Sequence, residues 1–282
     1  MAAKINKPGL LKLPKDNRDF KLSAVIKLPK LEELPKEFEL EPITTYDQLE
    51  SDYCSGEATC GASGLQEKIA LSPEWSFAVS KMISEDPEEY GQDLRTAMKV
   101  HTKYGAIEKK DAPYSLEKGD EDNKIRYINN WPKDLFEKAG GHKKQTFFKI
   151  DGQYTPFDDI RAFIWMFRAE KRAAVIGVEW SWPLEQVIMD EPGEGEGHAL
   201  YAIGFKKING KDYLVIQNSY GAEAGDNGKH YFSREVIDKF VGEYGSFAFI
   251  DMPVSEAIEK SWTCWQKFVW AIKQFFNTIS EF

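Results

Sequence analysis

The hydrophobic rhythm of this chain changes at residue 173, and the change limits the folds open to it. Before that point, apolar residues recur at the three- and four-residue spacing of helices. After it, short runs rich in Val, Ile, Tyr and Phe are separated by Gly, Asn and Asp turns. Helices first and strands later predict an α+β fold with two unlike halves, the second an antiparallel sheet. In the first half, residues 71–83 (LSPEWSFAVSKMI) open with Ser72 at an N-cap and Pro73 at the first helical position. Residues 92–105 form a second predicted helix that closes on Gly105. Between Cys54 and Ile69, CSGEATCGASGLQEKI is dense in Ala, Gly and Ser. Such small residues allow close approach of neighbouring backbones, which predicts a buried central helix despite its glycines. Strands are expected over 173–180, 198–207, 211–221, 229–233 and 245–253, with a two-residue hairpin turn inside INGK at 208–211.

Both ends differ from this middle. Residues 1–40 are rich in Lys, Pro and Leu, with Pro8, Pro14, Pro29 and Pro35 spaced through them. Proline at that density prevents long helices, and residues 22–28 are at most a short strand. The expectation is an extended arm over a domain surface, too short and broken for a folded inhibitory pro-domain. After the last strand, Trp262, Trp265, Val269, Ile272, Phe276 and Ile279 recur at three and four residues, which predicts an amphipathic aromatic helix over 254–282. Packing on its own domain, self-association or a partner through residues 262–282, and lying in a membrane interface are the three uses such a face serves. The expected organisation is therefore an arm (1–40), one domain (41–253) and a C-terminal helix (254–282).

Composition narrows the function. With 37 Lys+Arg against 46 Asp+Glu the net charge is −9, against a nucleic-acid partner, which would need a basic face. No signal-peptide or transmembrane run of apolar residues occurs, so the expected location is cytoplasmic. Three cysteines make no disulfide framework and suit a reducing compartment or a thiol kept for chemistry. Four histidines leave little for a metal site, and no metal or cofactor motif is present. GEGEG at 193–197 precedes a strand-like segment, and its acidic side chains repel phosphate.

Cys54 stands at the expected start of the small-residue helix, where unpaired N–H groups favour thiolate. Gln48, six residues upstream across a turn-like stretch, can direct its amide N–H to the same point. With the Cys54 N–H it would form an oxyanion hole. A base and an orienter are also needed, and His198 and Asn218 lie on what read as adjacent strands. His101, His142 and His230 have no comparable setting and read as ordinary.

In chain order, DQ-x5-C, GHAL-x-AIGF, IQNSYG and GDNGKHYF resemble the papain-like cysteine peptidases, with further likeness in LSPEW, KYGAIEKKDAPY and the arm's NRDF and LPKEFEL. The resemblance spans roughly residues 17–253. It implies a two-lobed fold in which Gln48 serves the oxyanion hole, Cys54 is the nucleophile, His198 the base and acid, and Asn218 its orienter. It further implies that Gly91 lends its backbone to substrate in strand fashion. The departures are Ser55 where an aromatic usually follows the nucleophile, Tyr220 and Ala224 where tryptophans are customary, and the missing disulfide cysteines. These fit a divergent, bacterial or viral, non-secreted branch. Cys60 competes as nucleophile, but the Gln48 spacing favours Cys54.

The implied activity is hydrolysis of peptide bonds in a polypeptide or peptide-like substrate through an acyl-enzyme, without cofactor. Two alternatives stay open. One is a catalytically idle binding or assembly module, attached by its tail to a virion or membrane; the other is a thiol amidase acting on cell-wall or isopeptide bonds. Glu194 and Glu196, near His198, either favour the imidazolium or form a solvated acidic loop.

Overall fold

The computed structural model describes residues 8–13, 16 and 19–250; the helix expected over 254–282, and Cys264 with it, lies outside the described residues. In chain order the elements are β1 (Phe38–Glu39), α1 (Cys54–Glu67), α2 (Pro73–Ile83), α3 (Leu94–Lys103), α4 (Asp122–Arg126), α5 (Leu135–Gly140), β2 (Thr146–Lys149), α6 (Pro156–Met166), β3 (Ala174–Trp180), β4 (Ile188–Met189), β5 (Glu196–Ile208), β6 (Lys211–Gln217), β7 (Lys229–Ser233), α7 (Arg234–Tyr244) and β8 (Ser246–Ile250). This is the α+β arrangement the change of rhythm predicts. Residues 22–24 form a 3-10 turn instead of a strand.

Local chemistry accounts for the main helices. The Ser72 hydroxyl accepts from Trp75 N–H, and Pro73 occupies the first turn of α2. Asp93 caps α3 by accepting from Thr96 N–H, and Gly105, at φ +86°, donates to Val100 O at 3.0 Å just past its end. In α1 the glycines mark contact surfaces. A Cβ on Gly56 would stand 2.7 Å from Pro73 O of α2, and one on Gly61 2.3 Å from the Tyr201 ring of β5. The central helix is thus packed tightly between the two halves, against backbone on the α2 side and the Tyr201 ring on the sheet side, which is what its small residues permit.

One eight-stranded sheet runs β2-β8-β3-β5-β6-β7-β4, with β1 pairing onto β5, so the end of the expected arm is built into the sheet. All pairs are antiparallel except β4 with β7. The β5–β6 hairpin turns through Asn209 (φ 49°) and Gly210 (φ 87°), the paired positive dihedrals of a two-residue hairpin. Apolar side chains separate into two main cores. One lies between α1, α6, α7 and the sheet, the other in the helical half around Tyr53, Trp75, Phe77, Ile107 and Trp131. No helix among the described residues is long and apolar enough to cross a membrane.

Candidate active site

The first residue of α1 is Cys54, and its N-cap, Tyr53, makes no side-chain cap bond, so the first-turn N–H groups stay directed at the thiol's end of the helix. His198 is the third residue of β5, opposite Val178 of β3. Asn218 follows the last residue of β6, and Gln217 pairs with Tyr201 of β5. The hairpin thereby brings His198 Nε2 within 2.8 Å of Asn218 Oδ1. Gln48 is brought in by backbone: its N–H donates to Ser219 O at 2.9 Å, and Asp47 bridges Tyr220. Its amide is oriented, with Oε1 accepting from Ser219 Oγ at 2.7 Å and Nε2 donating to Ser51 O at 2.8 Å. All four residues are buried.

Burial controls the protonation states. Loss of water pushes the Cys54 thiol up to about 12, against the pull of hydrogen bonds from backbone groups of Ala199 and Gly9. The same desolvation lowers His198 to about 3, with the Asn218 bond working in the opposite direction. In this state the site holds a neutral thiol and a neutral imidazole. His198 Nδ1 is engaged by the Tyr220 hydroxyl at 3.3 Å, and the two rings stack 4.5 Å apart at 12°. Trp180 of β3 meets His198, Tyr220 and His230 edge-on at 5.0–5.4 Å and closes the site from one side. Sequence reasoning missed Trp180, Ser219 and the role of the Tyr220 hydroxyl. Trp180 did fall in an expected strand, but the strand pattern names no partner.

The arm enters the cleft instead of lying over a surface. Gly9 packs on the residues just before Cys54, where a Cβ on it would stand 2.4 Å from Asp52 O, and Gly9 O accepts from Gln92 N–H at 2.8 Å. Leu10 N–H donates to Gly197 O at 2.8 Å, and Leu11 N–H to Gln92 O at 3.3 Å. The buried Leu10 side chain fills a slot at Gly177 and Tyr244, where a Cβ on Gly177 would stand 2.5 Å from Leu10 Cδ2. The arm is anchored further along by a bidentate pair from Arg95 to Asp19, both contacts 2.7 Å. Strand-like pairing to the cleft wall thus falls on Gln92. The neighbouring Gly91 has its N–H on Asp52 Oδ2 at 2.5 Å and its carbonyl on Lys81 Nζ at 2.5 Å. Beside the Cys54 loop opens a cavity of about 700 Å³ walled by Leu49, Tyr90 and Leu116, with Glu50, Asp52, Asp122 and Arg126 as charged groups.

A second cysteine–histidine group lies deeper. Cys60 Sγ is 3.1 Å from Ser76 Oγ and 4.0 Å from His101 Nε2, and Ser76 Oγ is 3.4 Å from the same nitrogen. All three are buried, and desolvation raises Cys60 and lowers His101 to about 3. This cluster packs α1 against α2 and α3.

No family model and no curated protein sequence matches the chain. Solved structures do. Xylellain, a cysteine protease of Xylella fastidiosa, aligns with TM-score 0.69 at 18% identity over 87% of this chain and 96% of its own. A procathepsin B of Trypanosoma congolense gives 0.63 at 13% identity, covering 87% and 86%. The bromelain protease of Ananas comosus gives 0.56 at 15%, covering 77% and 98%. At these identities the likeness is one of architecture, and it extends across both halves of the chain. The two-lobed fold described above is that of the papain-like cysteine proteases.

Proposed function

We propose that the chain is a cysteine peptidase held at rest by its own arm, with Cys54 as nucleophile, His198 as base and acid, Asn218 as orienter and Gln48 in the oxyanion hole. One observation carries this reading: an extended peptide, residues 9–11, lies beside the start of the Cys54 helix, with Gly9 against Asp52, and pairs with both walls of the cleft at Gly197 and Gln92. A peptide substrate needs the same seat. With the arm displaced, water reaches the site, desolvation relaxes, and His198 takes the thiol proton. The sulfur then attacks the acyl carbonyl, whose developing oxyanion is met by the Gln48 amide and the Cys54 N–H. His198 returns the proton to the leaving amine, and water, activated by the same imidazole, releases the acyl group.

Leu10→Asp in the full-length chain puts a charge in the Gly177–Tyr244 slot and expels the arm. Alkylation at pH 6, mapped by mass spectrometry, is expected to be slow at Cys54 in the parent chain and fast in Leu10→Asp. Adding His198→Ala should make it slow again, with peptide hydrolysis following the same order. Labelling of Cys60 in preference to Cys54, or an unreactive Cys54 in Leu10→Asp, would sink the assignment. The second outcome would favour an idle binding module, the reading that the neutral buried thiol supports. Screening isopeptide and cell-wall amides on Leu10→Asp separates the amidase variant, since nucleophile chemistry is common to all three substrates.

A further inference from the structure

The hydrogen bonds that end on His198 begin one strand further away than Asn218. Asn218 Nδ2 lies 3.1 Å from Nε2 of His230, the β7 residue opposite Ile216, and His230 Nδ1 lies 2.7 Å from the Gln186 carbonyl oxygen. A carbonyl only accepts, so His230 Nδ1 carries a proton. The ring is buried and desolvation lowers its pKa to about 4, so at neutral pH that is its one proton and Nε2 presents a lone pair. Asn218 must therefore turn its NH₂ toward His230 and its oxygen toward His198, where the oxygen also accepts from Ser219 N–H at 2.7 Å. His198 then donates Nε2–H to that oxygen at 2.8 Å and keeps its lone pair on Nδ1, the nitrogen the thiol proton must reach.

We propose that His230 is a positioning residue for the His198 base: together with the Ser219 N–H, its lone pair holds the Asn218 amide in the orientation that sets which His198 nitrogen carries the proton. The fold makes room for it. Gly225 passes so close beneath the ring that a Cβ there would stand 2.8 Å from His230 Nδ1, and Trp180 covers its edge at 5.0 Å. A ring serving only as packing has no need of acceptor and donor aligned with Asn218 on one side and a carbonyl on the other. The proposal rests on the reading of His198 as catalytic base, but its central claim concerns the resting protein.

Two substitutions in the full-length chain test it. In His230→Phe the ring stays and both polar ends go. In His230→Gln, Oε1 can accept from Asn218 and Nε2 can donate to Gln186 O, which restores the polarity of the chain. Histidine ¹⁵N NMR at pH 7 should find His198 as the Nε2–H tautomer in the parent and in His230→Gln, and as a mixture in His230→Phe. With Leu10→Asp added, Cys54 alkylation should fall on the order of tenfold or more in His230→Phe, the size of effect typical of outer-shell partners of a functional histidine, and recover in His230→Gln. An unchanged His198 tautomer in folded His230→Phe would overturn the proposal. So would an Nδ1–H tautomer in the parent, or equal losses in both variants. An unreactive Cys54 in Leu10→Asp alone would count against the peptidase reading and leave the tautomer result standing.

Discussion

At His198 two groups compete for one nitrogen. The resting site gives Nδ1 to the Tyr220 hydroxyl, which burial keeps from ionising, whereas the proposed reaction gives it to the Cys54 thiol. Tyr220→Phe keeps the stacked ring and removes the competitor. In the Leu10→Asp background it should speed Cys54 alkylation about fivefold, the worth of one neutral hydrogen bond of ~1 kcal/mol. A rate unchanged or lowered would mean the hydroxyl holds the ring in place and does not compete. The catalytic candidates were legible in the sequence because their order and flanks are local signals, above all Gln48 six residues before Cys54. Their partners were not. His230 read as ordinary because its setting, Asn218 on one side and Gln186 on the other, depends on strand register between β6 and β7. The pairing of the arm with Gln92, next to Gly91, was equally hidden, since it joins segments about eighty residues apart.

Elements were legible where they carry caps. Helices α2 and α3 and the β5–β6 hairpin came out of Ser72-Pro73, Gly105 and INGK, whose chemistry is contained within a few residues. Helix α7 carries a comparable signal, Ser233, but lies between two expected strands, whose period masked it. The loop from 84 to 91 could not be read at all, because what secures it is distant in sequence. Lys81, buried on α2, donates to the carbonyls of Glu89 and Gly91, while Asp52, itself paired with Arg126 at 2.7 Å, accepts Gly91 N–H. Lys81→Met leaves the buried Gly91 carbonyl and the part-exposed Glu89 carbonyl without their donor and should cost ~1–3 kcal/mol, the worth of one buried unsatisfied group. Chemical denaturation would read the loss, and limited proteolysis should cut first within residues 84–91. A loss below ~0.5 kcal/mol would mean that Asp52 and Arg126 alone hold the loop.

Across the whole molecule, three histidines are buried neutral: His101 and His198 with pKa lowered to about 3, and His230 to about 4. Each binds its proton in the unfolded chain near pH 6.5 but not in the folded one, so the unfolded state gains protons first as pH falls. Stability therefore declines through the window from about 6.5 downward, by up to ~1.4 kcal/mol per pH unit for each histidine. Glu57 and Asp159 act with the opposite sign. Desolvation raises both, so the folded state takes up their protons before the unfolded state and the decline is softened. The three histidines act toward a loss of stability on acidification, and through His198 the proposed reaction shares that sensitivity. The imidazole that the proposed reaction needs neutral is kept so by the same burial that makes the fold acid-sensitive. His101, outside the catalytic group and beside Cys60 and Phe249, allows the two to be separated. His101→Leu should lower stability at pH 7 through lost packing, yet flatten its dependence on pH between 6.5 and 5 by roughly one histidine's share. Denaturant midpoints at several pH values in that interval would read the slope directly. A slope identical to the parent's would show that His101 is protonated in the folded state and that its burial contributes nothing to acid sensitivity.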